Sequence, residues 1–161
     1  MRRWGFILVA ACVVAACGDD NQTNPTQGPM VFTADLRPAN EVPPVANAES
    51  GGRGAAQITF EGSNVTFFFQ LTGFPADTRV VGAHIHTGGP GVNGPIIINT
   101  GVSGASPVIL SNPITEFTSG RVPVDASTVQ AIVNNPAGFY FNVHSPLNPG
   151  GFARGQLVRI Q

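Results

Sequence analysis

The chain has three histidines, and all of them fall in two similar segments. His84 and His86 lie in VVGAHIHTGGPGVNGPIIINT, residues 80–100, and His144 lies in GFYFNVHSPLNPGGFARGQLVRI, residues 138–160. A His-X-His pair on one strand plus a third imidazole from a neighbouring strand is an accepted three-nitrogen donor set for zinc or copper. The same side chains also support a structural reading, in which the imidazoles, Asn142 and Arg154 hydrogen-bond across a sheet and tie down the glycine loops. Such a buried network is tolerated only when its members are satisfied. Geometry separates the two readings. A metal site needs nitrogens converging on one point, whereas a network gives each ring its own partner.

The spacing says which elements must position these residues. In a strand, side chains two apart share a face, so His84 and His86 project together while Ala83 and Ile85 point the other way. The loop at residues 88–95 holds four glycines and two prolines, which suits a tight reversal. Ile96, Ile97 and Ile98 then form a β-branched run typical of a strand. In the second segment Phe139, Phe141 and Val143 share one face, and Tyr140, Asn142 and His144 share the other. Both segments thus read as hairpins with histidine near the turn end of the first strand. The expectation is that His84, His86 and His144 come from adjacent strands and cluster, with Tyr140, Asn142 and Arg154 close by. Arg154 reads as an internal hydrogen-bond donor rather than a substrate clamp.

Other chemistries find little support. Ser145 adjoins His144, but strand neighbours point to opposite faces and make a poor nucleophile–base pair. Carboxylates are scattered, with no pair placed for acid–base work. The 88–95 loop is not followed by a helix, so it is not a phosphate loop of the usual kind. The chain reads as non-enzymatic.

The remaining elements are mostly short strands. Residues 30–37 alternate, with Phe32, Ala34 and Leu36 on one face. Residues 40–45 (NEVPPV) are expected to be extended, because proline disfavours helix at the residue before it. Residues 54–61 and 64–72 flank Gly62-Ser63, a hairpin turn, and Val65, Phe67, Phe69 and Leu71 read as core. Residues 107–111 and 114–123 read as further strands. Residues 125–133 are the one helical segment, with Asp125 as N-cap and Val129, Ile132 and Val133 on one face. Strands at about ten-residue spacing predict an all-β antiparallel sandwich with Greek-key-like connections and one short helix.

The first 29 residues read differently. Met1-Arg2-Arg3 is followed by an uncharged apolar run over residues 4–16, too short to span a bilayer but suited to a signal peptide. It ends Val14-Ala15-Ala16-Cys17, which resembles a bacterial lipobox and makes Cys17 the expected lipidation site. Cys12 also follows Val-Ala-Ala, but cleavage there leaves a shorter apolar core. The expected organisation is a signal peptide at 1–16, a lipid-anchored tether at 17–29 and a β-sandwich domain at 30–161. Gly18 rather than Asp after the cysteine favours the outer membrane, by analogy with enteric bacteria. Both cysteines lie in the export segment, which leaves the domain without disulfide or thiolate. From Cys17 onward six arginines stand against nine carboxylates, with no lysine. That balance argues against a nucleic-acid partner or a polybasic membrane surface.

Several motifs in order resemble one family. They are Asn40-Glu41-Val42-Pro43-Pro44-Val45, then Ala83-His84-Ile85-His86-Thr87-Gly88 through Gly94-Pro95. Tyr140-Phe141-Asn142-Val143-His144-Ser145 follows, and then Pro149 with Arg154-Gly155-Gln156-Leu157. By these motifs the chain resembles the CHRD domain, first described in chordin and also found in bacterial secreted proteins. The family usually has an acidic residue just before Ile-Arg-Gly-Gln. Phe152-Ala153 stands there in this chain, so that position offers no carboxylate to pair with Arg154. The resemblance implies a fold and an extracellular setting more than a reaction. The Ala-His-Ile-His strand is also similar to the Gly-Phe-His-Val-His strand of copper/zinc superoxide dismutase. That enzyme needs more histidines than this chain has, and a disulfide. The expected role is a lipid-anchored cell-envelope module that binds an extracytoplasmic ligand or protein or acts structurally. The alternative is an envelope metal-binding protein using His84, His86 and His144.

Overall fold

The structure, a computed structural model, describes residues 28–111 and 113–161; the expected signal peptide, the expected lipidation site Cys17 and nearly all of the expected tether lie outside the described residues. Among the described residues, ten strands and one α-helix follow in order. They are β1 (Met30–Leu36), β2 (Arg53–Glu61), β3 (Asn64–Thr72), β4 (Arg79–Thr87), β5 (Ile96–Ile109), β6 (Ile114–Thr118), β7 (Val122–Pro123), α1 (Ala126–Asn134), β8 (Phe139–His144), β9 (Ala153–Gln156) and β10 (Val158–Arg159). They form two antiparallel sheets. One runs β10-β1-β2-β3-β6, with β7 also on β3; the other runs β5-β4-β8-β9. After β5 the chain crosses to the first sheet, passes through α1 and returns beside β4 as β8. This is the Greek-key-like sandwich that the strand spacing predicts.

Period-two alternation fixes the faces. Phe32, Ala34 and Leu36 from β1, and Val65, Phe67, Phe69 and Leu71 from β3, are buried against Ala83 and Ile85 of β4 and Phe141 and Val143 of β8. Phe141 bridges the sheets, with its ring centroid 5.9 Å from that of Phe67 and 6.0 Å from that of Phe69. Phe139, expected in this core, is only partly buried at its margin. At one corner the sheets approach closely: Arg37 N–H donates to Arg154 O at 3.1 Å. A Cβ on Gly155 would lie 2.3 Å from the carbonyl oxygen of Asp35, so glycine makes this approach possible.

Four local expectations need correction. Residues 40–45 are extended only in part: Glu41 has extended backbone, but Asn40 belongs to a turn and the chain bends over 41–43. Pro38–Asn40 forms a 3₁₀ turn closed by Asn40 N–H and Glu41 N–H on the carbonyls of Arg37 and Pro38. The strand at 107–111 is not separate from the isoleucine run. Both belong to β5, which bends through Gly101 at φ +91° and shifts register against β4. Residues 114–123 break into β6 and β7 at Ser119, whose hydroxyl accepts the Phe67 N–H at 2.9 Å in place of a ladder carbonyl. Asp125 stands at the cap of α1 in extended backbone, but its side chain makes no capping bond.

Candidate metal centre

The centre is built on cross-strand pairs of the second sheet. His84 of β4 stands opposite Asn142 of β8, which stands opposite Arg154 of β9; one step along, His86 pairs with Tyr140 and Tyr140 with Gln156. Gly82 stands opposite His144. Directly opposed residues share a face. Alternation therefore collects His84, His86, His144, Tyr140, Asn142 and Arg154 on the side of the sheet turned away from the phenylalanine core, as the spacing predicts. Loops roof this side, so that His86, His144, Tyr140, Asn142 and Arg154 are all buried and His84 is half-buried.

The three imidazoles meet. Ring centroids are 4.8 Å apart for His84 and His144 and 5.7 Å apart for the other two pairs. One ring nitrogen from each lies within 4.8 Å of those from the other two. Two rings are oriented by loop carbonyls: His86 Nδ1 is 2.9 Å from Gly94 O, and His144 Nδ1 is 3.0 Å from Pro149 O. A carbonyl only accepts, so each Nδ1 carries the proton, and in the neutral ring Nε2 is left with its lone pair. Metal-ligating histidines are commonly held this way, since the bond fixes tautomer and ring plane. His86 is further stacked on Tyr140, with centroids 4.9 Å apart and planes 7° apart, and Tyr140 O–H accepts the Gly94 N–H at 3.2 Å.

His84 Nδ1, His86 Nε2 and His144 Nε2 are buried with no hydrogen-bond partner, and so are Glu41 Oε1, Asn142 Oδ1 and Arg154 Nη2 around them. Burial without a partner is costly for a polar atom. Burial also keeps the rings neutral. It pushes His84 down to about 4, with the neighbouring His144 and His86 adding to the effect. His86 and His144 are lowered by burial too, against the opposing hydrogen bonds to Gly94 and Pro149; Arg154 lowers His86 further and His86 lowers His144. Neutral imidazole is the ligating form. Gly82 makes room for the group: a Cβ there would lie 2.8 Å from His84 Cε1 and 3.5 Å from His144 Cδ2.

Arg154 behaves as the internal donor expected. Its Nε donates to Asn40 O at 2.6 Å and its Nη1 to Asn93 Oδ1 at 2.7 Å, while its guanidinium carbon sits 4.6 Å from the Tyr140 ring centroid. The carboxylate beside it comes from Glu41, in the 40–45 motif, and not from the segment before Arg154. Burial raises Glu41 to about 7, against the pull of Arg154 and of Asn142. A second buried carboxylate, Glu49, accepts from Ser145 Oγ at 2.7 Å and Asn148 Nδ2 at 2.5 Å, which ties the 145–148 turn to the segment before β2.

Hydrogen bonds thus account for Glu49 and for Nε and Nη1 of Arg154, but not for Arg154 Nη2, nor for the three imidazoles whose nitrogens lie within 4.8 Å of one another. Sequence reasoning named the three histidines and their neighbours, but it missed Gly82, Glu41 as a site residue, and Glu49. A signal existed for two of them. Gly82 is a glycine inside a strand, two residues before His84 and so on its face, which marks a close approach. Glu41 sits in a motif that sequence reading singled out for the family alone.

No curated protein matches the chain. A family model described as the CHRD domain matches residues 32–157, which takes in every strand of the second sheet, the three histidines and Arg154. The chain therefore belongs to the CHRD domain family.

Proposed function

We propose that this protein is an exported, lipid-anchored binding module whose three-histidine centre holds a zinc or copper ion. The observation that carries the metal reading is the cluster of three imidazoles, one nitrogen of each within 4.8 Å of those of the other two, with every ring carrying a buried nitrogen that has no hydrogen-bond partner. Ideal tetrahedral or trigonal coordination at about 2.0–2.1 Å needs nitrogens roughly 3.3–3.6 Å apart. Separations within 4.8 Å bring that within reach of small ring movements. Imidazole suits both metals, and neutral rings meet little proton competition at pH 7.

The role is binding rather than catalysis. The Ser145 hydroxyl donates to Glu49 and not to the His144 ring, so these neighbours do not form a nucleophile–base pair. The positive start, the apolar run and Val-Ala-Ala-Cys support attachment to the cell envelope through Cys17, with the domain presented to an extracytoplasmic ligand or protein.

Elemental analysis of the purified chain tests the metal reading. The expected result is one zinc or copper per chain, lost in a His84→Ala/His86→Ala variant that still unfolds cooperatively. Equal metal content in the two proteins would refute it.

A further inference from the structure

We infer that the ion this centre selects is copper(I), held by three imidazoles with no fourth ligand. This rests on the metal reading above and names its cargo. Three observations point the same way.

The donor set is three neutral nitrogens. The cluster drawn from the described residues contains no carboxylate. A zinc ion almost always takes four ligands in proteins, so a three-protein-ligand zinc site needs water or substrate in the fourth position. Copper(I) is a closed-shell monovalent ion that is satisfied by two or three donors.

One nitrogen of each ring is also out of contact with bulk water, although His84 as a whole is half-buried. His84 Nδ1, His86 Nε2 and His144 Nε2 are all buried, beneath loops pinned by Gly94 O, Pro149 O and Arg154. The neighbouring cleft of about 390 Å³ is walled by Asn40, Glu41, Pro90 and Gln156 among others, and by no histidine.

Arg154 brings a positive charge to the site, offset only in part by the buried Glu41 carboxyl beside it, which burial holds partly protonated. Arg154 is almost fully buried over the Tyr140 ring, which is itself stacked on His86, and its charge is felt at His86. A buried cation repels a divalent ion about twice as strongly as a monovalent one at the same distance.

Copper(I) and zinc(II) titrations of the purified full chain, each against a chromophoric chelator without oxygen, test this, together with X-ray absorption of the copper-loaded protein. The expected result is one copper(I) with three nitrogen neighbours, preferred over zinc(II) by on the order of 10³-fold or more. Zinc(II) bound as tightly, or a four-coordinate copper, would overturn the copper(I) assignment and leave the metal site standing. Failure of both ions to bind would overturn the site itself. Arg154→Met supplies a second readout, because loss of the cation should narrow the gap between the two ions. A gap unchanged in a folded Arg154→Met protein would contradict the role given to charge.

Discussion

Gly82→Ala separates the fold from the site. Alanine ordinarily suits a strand better than glycine, by roughly 0.5–1 kcal/mol. Here its Cβ would stand 2.8 Å from His84 Cε1. Ordinary carbon–carbon contact is about 3.5–4.0 Å, so the His84 ring must retreat by roughly 0.7–1.2 Å. A metal site tolerates displacements of only about 0.2 Å in its ligand distances. The ring is the end of a rotatable side chain on the half-buried member of the trio, so the retreat is cheap for the fold. Overpacking of about 1–3 kcal/mol, offset by the lost glycine entropy, leaves a net cost of roughly 0–2.5 kcal/mol. Metal affinity should fall much further in proportion, by roughly 10–100-fold or more, since one of three donors is moved off the focus. The assay pairs a chelator competition titration with urea unfolding of the metal-free protein. A folded Gly82→Ala protein that binds metal as wild type does would show that His84 is not a ligand from this position.

Three further outcomes are expected. Phe141→Ala, which removes the ring bridging both sheets, should cost about 3–5 kcal/mol in urea unfolding, and a loss below about 1 kcal/mol would contradict its place in the core. The pH dependence of metal-free stability has a defined sign. His84 titrates at about 4 when folded and 6.5 when not, so the unfolded chain binds more protons and stability falls as pH drops from 6.5 towards 4, with His86 and His144 acting in the same direction. Solvent screening of half-buried His84 limits its share to roughly 1–2 kcal/mol. Glu41, raised from 4.5 to about 7, acts oppositely: its proton favours the folded state below pH 7, so Glu41→Gln should steepen the acid loss. A Glu41→Gln protein as stable at pH 5 as at pH 7 would refute this balance. Cys17→Ser should release the chain from membranes or leave it unprocessed; unchanged membrane fractionation, with an unmodified wild-type N-terminus, would refute the anchor.

What could be read from the sequence is what period two controls. Phe32, Ala34 and Leu36, or Phe141 and Val143 against Tyr140, Asn142 and His144, declare their faces by alternation alone, and both hairpins place histidine on the side away from phenylalanine. Long-range geometry was not legible. The ring nitrogens of His86 and His144 are assigned by carbonyls of Gly94 and Pro149, whose positions depend on loop conformation. Glu41 and Glu49 act on Arg154 and Ser145 about a hundred residues away, and no local pattern announces such pairs. The length of β5 was hidden for a similar reason. Gly101 and Pro107 look like breaks in a linear reading, yet a bent strand paired with β4 accommodates both.

The most direct test of the central claim is anomalous diffraction at the metal absorption edge from crystals of the loaded protein. The account predicts a single peak about 2.0 Å from one ring nitrogen of His84, from His86 Nε2 and from His144 Nε2, with both Nδ1–carbonyl bonds to Gly94 and Pro149 retained. A peak elsewhere on the surface, or loaded crystals with no peak at the histidines, would contradict it.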